Sequence, residues 1–129
     1  MLRPLASALA GMLLCPPAGH AAHFGLHCAI TYDDTGARDR RNIRIDTGAR
    51  SVRDNEIVTV DGTANAIARN QVEFVDTGDQ RVAWGSRLRA TGANVFTIAI
   101  DLRTMRYTYV SHLRGLRAHG TCQPREIST

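Results

Sequence analysis

The chain has 129 residues and a formal net charge of +4, and all sixteen of its basic residues are arginine. A length of this order accommodates one domain and excludes two. The basic balance raises the question of nucleic acid, but the sequence lacks the helical, zinc-binding and aromatic-platform motifs that nucleic-acid binding uses.

The N-terminal segment, residues 1–22, has the features of a secretory signal peptide. A short basic start is followed by an apolar run over residues 5–15 and by small residues over 18–22. Signal peptidases cleave after such small residues, and the apolar run is about half as long as a bilayer-spanning helix. We therefore expect cleavage after Ala21 or Ala22, and export to the periplasm or the extracellular space.

The mature domain expected over residues 23–129 has no transmembrane segment and keeps two cysteines, Cys28 and Cys122. An isolated pair in an oxidising compartment is typical of a disulfide, and neither cysteine has the Cys-x-x-Cys spacing of a redox or metal site. Because the two residues stand near opposite ends of the domain, the pair predicts a disulfide that makes the first and last strands neighbours.

In the first half of the domain, apolar residues at every second position predict a series of short strands. These strands contain, in chain order, Cys28, Ile30 and Tyr32; Ile43 and Ile45; residues 57–60; and Val72 with Phe74. The third strand ends at Asp61-Gly62, a dipeptide typical of hairpins. Residues 63–70 fit a strand or a short helical turn equally well.

The second half of the domain has a more regular alternation. The positions predicted to be buried are Val82, Trp84 and Leu88; Phe96, Ile98 and Ile100; and Tyr107 with Tyr109. A last strand is predicted from about Leu113 to Cys122. Seven or eight short strands without a helical stripe indicate an all-β fold, a single antiparallel barrel or sandwich. A disulfide between the end strands favours a closed or nearly closed barrel.

The tripeptide Asp-Thr-Gly occurs three times, beginning at Asp34, Asp46 and Asp76. The second copy, within residues 45–49, resembles the Asp-Thr-Gly-Ala signature of retropepsin-like aspartic proteases, in which two aspartates share one proton. The resemblance covers five residues, and Arg44 stands where that family has a small or apolar residue. Asp and Thr cap turns and Gly supplies positive φ, so repetition at strand ends favours turns over catalysis.

Histidines near the expected cleavage site suggest a metal site as an alternative. If cleavage follows Ala22, the new amine and the imidazole of His23 would suit copper(II), with His27 as a further ligand. A mobile N-terminal tail rarely holds a preorganised site, so the simpler expectation is that the domain has no cofactor.

Aromatic and cationic residues of the second half are candidates for a binding surface. Residues 81–129 contain eight arginines and two acidic residues, a balance of +6, against −3 for residues 23–80. The candidates are Trp84, Arg87, Arg89, Arg106, Tyr107, Tyr109 and Arg114. Trp84 fits a core position better, whereas the tyrosines suit a core or an edge. The arginines are also compatible with an ordinary solvent-facing side of a sheet.

These patterns predict an exported, disulfide-stabilised domain that acts as a binding or inhibitor-like module. The expected partner is a protein, an anionic envelope polymer or a small ligand, and not nucleic acid. The alternative is a periplasmic copper-binding protein that uses His23. A small hydrolase comes third, because the sequence has no Gly-x-Ser-x-Gly elbow, phosphate-binding glycine loop or His-Glu-x-x-His motif.

Overall fold

The computed structural model describes residues 22–126, so the predicted signal peptide lies outside the described residues apart from its last position. Residues 22–126 contain no helix that is long and apolar enough to span a membrane. The all-β prediction is confirmed, with slightly more strands than expected. The nine strands are β1 His23–Tyr32, β2 Arg38–Asp46, β3 Ser51–Asp54, β4 Ile57–Val60, β5 Gln71–Thr77, β6 Arg81–Leu88, β7 Asn94–Asp101, β8 Arg106–Ser111 and β9 Arg117–Arg125.

The nine strands form one sheet in the order β4-β3-β2-β1-β9-β8-β7-β6-β5, which curls into a nearly closed barrel. All eight pairings in this order are antiparallel, so β4 and β5 run in the same direction. Strands with that relation need a crossover. The prediction of a hairpin at Asp61-Gly62 is therefore wrong. Residues 61–70 return along the barrel as irregular chain, with one β-bridge between Ala64 and Val72.

Backbone and side chains together close the gap between β4 and β5. Residues 62–65 run beside the first part of β5, where the N–H of Gly62 donates to the carbonyl of Glu73 and the N–H of Glu73 donates to the carbonyl of Thr63, both at 2.9 Å. The carboxylate of Asp61 accepts the backbone N–H of Val75 at 2.8 Å, and the guanidinium of Arg50 donates to the carbonyl of Val75 at 2.9 Å. On the other side of the gap, the backbone N–H of Val60 donates to the carboxylate of Glu73 at 3.3 Å. An uncovered strand edge is a template for pairing with another chain, and these contacts protect the barrel from it.

The disulfide joins the first and last strands. Cys28 and Cys122 are directly opposite in the register of β1 and β9, and their Cα atoms lie 3.9 Å apart. Both side chains are buried in the core of the barrel. The prediction that one disulfide makes the terminal strands neighbours is confirmed.

Trp84 is the largest fully buried side chain. It lies on the inner face of β6, opposite Val75 on β5 and Ile98 on β7. Tyr107 is buried on the inner face of β8, opposite Ile100. Burying one indole and one phenol ring side by side with branched aliphatic residues stabilises the barrel through apolar area removed from water.

Phe74 occupies the opposite face from the one that the alternation suggested. Since Val75 shares the inner face with Trp84, Phe74 must lie outside. Its ring covers Gly85 on the neighbouring strand, and the guanidinium of Arg87 lies 4.0 Å above its centre. Phe74 is nevertheless buried, with the guanidinium of Arg87 over one face of its ring and the backbone of Gly85 close to its edge atom Cε1.

Candidate functional site

The aromatic residues predicted for a binding surface do not form one. Trp84 and Tyr107 are 1% and 3% exposed and belong to the core. Tyr109 is half-buried, and its ring meets the edge of the Tyr32 ring with the centroids 6.5 Å apart. These rings therefore supply packing area, and none of the three is placed to stack on a ligand.

The cationic residues predicted for the same surface are dispersed. Arg106 begins β8, whereas Arg114 lies in the turn that follows the end of that strand. Arg89 lies in the turn after β6, and Arg87 is on the outer face above Phe74. The structure does not bring the predicted site residues together.

Arginines are concentrated on another part of the barrel. We name the outer faces of β9, β1, β2 and β3 the basic wall. Alternation from their buried neighbours directs six arginine side chains outward there: Arg38, Arg40, Arg44, Arg53, Arg117 and Arg125. Among residues 22–126, none of the six has a carboxylate within ion-pair distance. Asp46 is the one acidic residue on the same faces of these strands.

Three of these arginines form a row across the strands, which we name the arginine row. The register places Arg53 opposite Arg44, Arg44 opposite Gly25, and Gly25 opposite Arg125. Directly opposed side chains have Cβ atoms about 5 Å apart, and Gly25 offers no side chain to separate its two neighbours. Like charges in this position destabilise a sheet and concentrate positive potential on its surface.

Two depressions in the surface border the arginine row. The smaller has a volume of 180 Å³ and the larger 710 Å³. Each is lined by guanidinium groups together with a carboxylate, at least one amide or hydroxyl group and one aliphatic side chain. The smaller is lined by His23, Arg44, Asp46, Ser51, Arg53 and Val58, and the larger by Arg40, Arg41, Asn42, Asn55, Glu56, Ile57 and Arg125.

The turn between β3 and β4 fixes one side of the larger depression. Asn55 has a positive φ of 53°, a conformation that asparagine tolerates better than most residues. Its side-chain oxygen accepts the backbone N–H of Asn42 at 2.7 Å, and its own N–H donates to the carbonyl of Asn42 at 2.8 Å. The side-chain oxygen of Asn42 is in turn 2.9 Å from Nδ1 of His27. These bonds hold the amide groups in defined positions.

A charged network lies behind the basic wall, on its inner side. Nε of Arg41 is 2.7 Å from Oδ1 of Asp54, and Nη1 of Arg41 is 2.9 Å from Oδ2 of Asp39. Burial raises the pKa of Asp54, and the hydrogen bond and charge of Arg41 offset this only in part. The hydrogen bond from Arg41 lowers the pKa of Asp39. Burial also raises the pKa of the Tyr107 phenol above its usual range.

The proposed copper ligands are spread along an extended strand. His23 and His27 are four residues apart on β1, a distance of about 13 Å at the rise of a strand, so they do not meet at one ion. Asp46 is the residue directly opposite His23. Within residues 22–126 no three histidine, cysteine or acidic side chains are grouped as a metal site.

The Asp-Thr-Gly segments lie at strand ends. Asp46 accepts the backbone N–H of Ala49 at 2.9 Å, and Thr35 accepts that of Ala37 at 3.1 Å. Gly36 has a φ of 72°, which a side chain would disfavour. The third copy ends β5. Hydrogen bonds within the turns therefore account for Thr35 and Asp46, whereas the hydroxyl of Thr47 bonds to the backbone of Ala22.

Sequence alone could have indicated part of the basic wall. Every second residue from Arg38 within residues 38–44 lies on the same face of a strand. The partners Arg53 and Arg125 come from distant positions, and only the strand register reveals them. The chain matches no known family model, and no curated protein is similar to it in sequence.

Proposed function

We propose that this chain is a small exported binding domain that recognises negatively charged partners through the basic wall. The observation that carries the proposal is the arginine row, in which Arg53 and Arg44 are directly opposed, Arg125 follows across Gly25, and none of the three has an ion-pair partner among residues 22–126. Opposed like charges reduce stability, so their presence favours a role in ligand binding.

Export is supported by two features that agree with each other. The leader has the composition of a signal peptide, and the disulfide between Cys28 and Cys122 suits an oxidising compartment. A preformed sheet held by a covalent link presents its outer face with little conformational entropy to lose on binding. This rigidity suits a binding module.

A copper site at His23 is a second candidate, because the register places the carboxylate of Asp46 opposite this histidine. Arg44 and Arg53 line the same depression, and their charges would repel a divalent cation. An intact mass of protein purified without chelator separates the two. We expect the mass of the apo protein, whereas a retained copper ion would favour this second candidate.

A pair of double variants tests the anion-binding proposal. Arg44→Gln with Arg53→Gln removes two charges from the arginine row, and Arg81→Gln with Arg106→Gln removes two from β6 and β8. We expect the first variant to elute from immobilised heparin at clearly lower salt than the parent, and the second to elute close to it. Equal losses for both would show retention by net charge alone and would contradict the proposal.

A further inference from the structure

We propose that the anionic partner of the basic wall is an acidic glycan, an oligosaccharide or polysaccharide whose rings carry carboxylate or sulfate groups. This inference rests on the proposed function and adds the chemical class of the partner. The glycan lies across the strands, from the smaller depression over the arginine row to the larger one.

Each of the two depressions contains a carboxylate among its arginines. Asp46 lines the smaller depression beside Arg44 and Arg53, and Glu56 lines the larger one beside Arg40 and Arg125. A carboxylate weakens a surface that binds phosphates or an anionic membrane. An acidic sugar, however, presents hydroxyl donors next to its anionic group, and a carboxylate is a strong acceptor for them. A guanidinium group beside a carboxylate can therefore bind the anionic group and the hydroxyl groups of the same sugar ring.

Each depression is also lined by an exposed aliphatic side chain. Ile57 is 64% exposed and lines the larger depression, and Val58 is 47% exposed and lines the smaller one. A sugar ring has apolar C–H faces as well as polar edges, and each depression provides one apolar contact beside its polar groups. Both depressions therefore combine charged, polar and aliphatic groups, as expected if they bind successive sugar rings of one glycan.

The placement of the aromatic rings disfavours nucleic acid as the partner. Single-stranded nucleic acid binds to surfaces where bases stack on exposed aromatic side chains. The aromatic residues of the described chain instead belong to the core or pack against it, apart from Phe74, which is buried beneath Arg87: Phe24, Tyr32, Trp84, Phe96, Tyr107 and Tyr109. The basic wall thus offers charge and hydrogen bonds but no stacking platform.

The length of the track sets the size of the ligand. Arg125 and Arg53 are separated by three strand intervals, from β9 through β1 and β2 to β3. At the usual spacing this is about 14 Å, which one ring cannot span. Affinity should therefore rise with the number of rings until the ligand spans the arginine row.

Fluorescence anisotropy with labelled probes tests the inference. The probes are oligogalacturonate hexamer, a glutamate hexapeptide, a thymidine hexanucleotide and neutral maltohexaose, with phosphatidylglycerol vesicles in a sedimentation assay. We expect oligogalacturonate to bind at least tenfold more tightly than the peptide and the nucleotide at equal salt. We expect galacturonate monomer to compete weakly and maltohexaose not to bind.

The decisive variant is Asp46→Asn. Its amide oxygen can still accept the N–H of Ala49, so the turn is retained, and circular dichroism with an intact disulfide mass confirms folding. Loss of the charged acceptor should weaken oligogalacturonate binding about tenfold. Loss of one negative charge should leave peptide and nucleotide binding unchanged or stronger. Glu56→Gln in the larger depression provides a second variant with the same expectation.

The outcomes separate this inference from the proposed function. If all three anionic hexamers bind equally, or if Asp46→Asn strengthens binding of all three, the basic wall binds anions and the glycan inference is wrong. Preferential binding to the vesicles would also contradict it, in favour of lipid headgroups. If none of the anionic probes binds, both the inference and the proposed function fail.

Discussion

Arginine side chains have different cross-strand neighbours on the two sides of the barrel. On the outer face of β5 to β8, which we name the second wall, Asp101 stands in register between Arg81 and Arg106. Arg87 lies 3.5 Å from Asp76 on the same wall. Within residues 22–126, neither Arg81 and Arg106 nor the six arginines of the basic wall lie within ion-pair distance of a carboxylate. The walls differ in register, since Asp101 is opposite arginines on both sides whereas Arg44 and Arg53 are opposite each other. The neighbours across the strands, rather than the number of arginines, decide where positive charge remains available.

Most of the basic wall comes from the first half of the domain, although that half has a net negative charge. The positions of its acidic residues explain why. Asp39 and Asp54 bind Arg41 on the inner side, and Asp61 closes the gap between β4 and β5. Asp33 lies 2.7 Å from His119. Because these carboxylates are engaged elsewhere, a half of the chain with a net negative balance still exposes unpaired arginines.

The largest effect should come from the covalent link behind the basic wall. Replacing both Cys28 and Cys122 by serine releases a loop with a sequence separation of 94. The free energy of unfolding should fall by about 4 kcal/mol, as estimated for a loop of this length. Urea denaturation followed by circular dichroism measures the change. A loss below about 1 kcal/mol would mean that the disulfide contributes little to the stability of the barrel.

On the second wall, Gly85→Ala should lower the free energy of unfolding by about 3 kcal/mol. A methyl group there would meet the backbone carbonyl of Phe96 and lie 3.2 Å from the ring of Phe74. Gly78→Ala is the matched control, since its nearest atom would be the carbonyl oxygen of Arg81 at 3.4 Å. Thermal unfolding of both variants tests this difference, and equal melting temperatures would contradict the close approach of the Phe96 carbonyl and the Phe74 ring to Gly85.

Asp54→Asn should destabilise the protein by about 2 kcal/mol at neutral pH, less than the usual loss for one partner of a buried pair, because Asp39 still neutralises Arg41. Burial raises the folded pKa of Asp54 above 3.8. The folded state therefore takes up this proton at a higher pH than the unfolded chain, which stabilises the parent as the pH falls through the raised pKa.

Asparagine lacks this proton uptake, so the deficit of Asp54→Asn should widen between about pH 7 and about pH 4. Urea denaturation of both proteins at a series of pH values measures it. A deficit that narrows toward acid pH would show that Arg41 lowers the pKa of Asp54 more than burial raises it.

The smallest expected effect is the change in the free energy of unfolding when arginines are neutralised on either wall. Arg44→Gln with Arg53→Gln removes an opposed like-charge pair and should raise the free energy of unfolding by about 0.5 kcal/mol. Arg106→Gln, opposite Asp101, should instead lower it by a few tenths. Differential scanning calorimetry at low salt resolves the opposite signs. Changes of the same sign in the free energy of unfolding would indicate that the arginines of both walls have similar electrostatic surroundings.

Alternation predicted the fold class because most strands have one apolar face. Cys28 and Cys122 also predicted the pairing of the terminal strands correctly, since a disulfide requires closeness. The short strand β3 was missed because Val52 is its single apolar residue. The last strand begins at Arg117 rather than near Leu113, which is 68% exposed in the preceding turn.

The candidate site could be predicted only in part. Alternation alone places Arg40 and Arg44 on one face of β2. It cannot place Arg125 beside them, because that contact depends on the pairing of β1 with β9 and on the position of Gly25. Charge balance over halves of the sequence was a poor guide, since folding redistributes the acidic partners.

The most direct test of the account follows the arginine side chains themselves. In nitrogen-labelled protein, the Nε–Hε signals of assigned arginines report which guanidinium groups contact an added oligogalacturonate hexamer. If the basic wall binds the glycan, the signals of Arg44, Arg53 and Arg125 shift with a common affinity while those of Arg81 and Arg106 stay in place. Equal shifts on both walls, or shifts confined to the second wall, would contradict it.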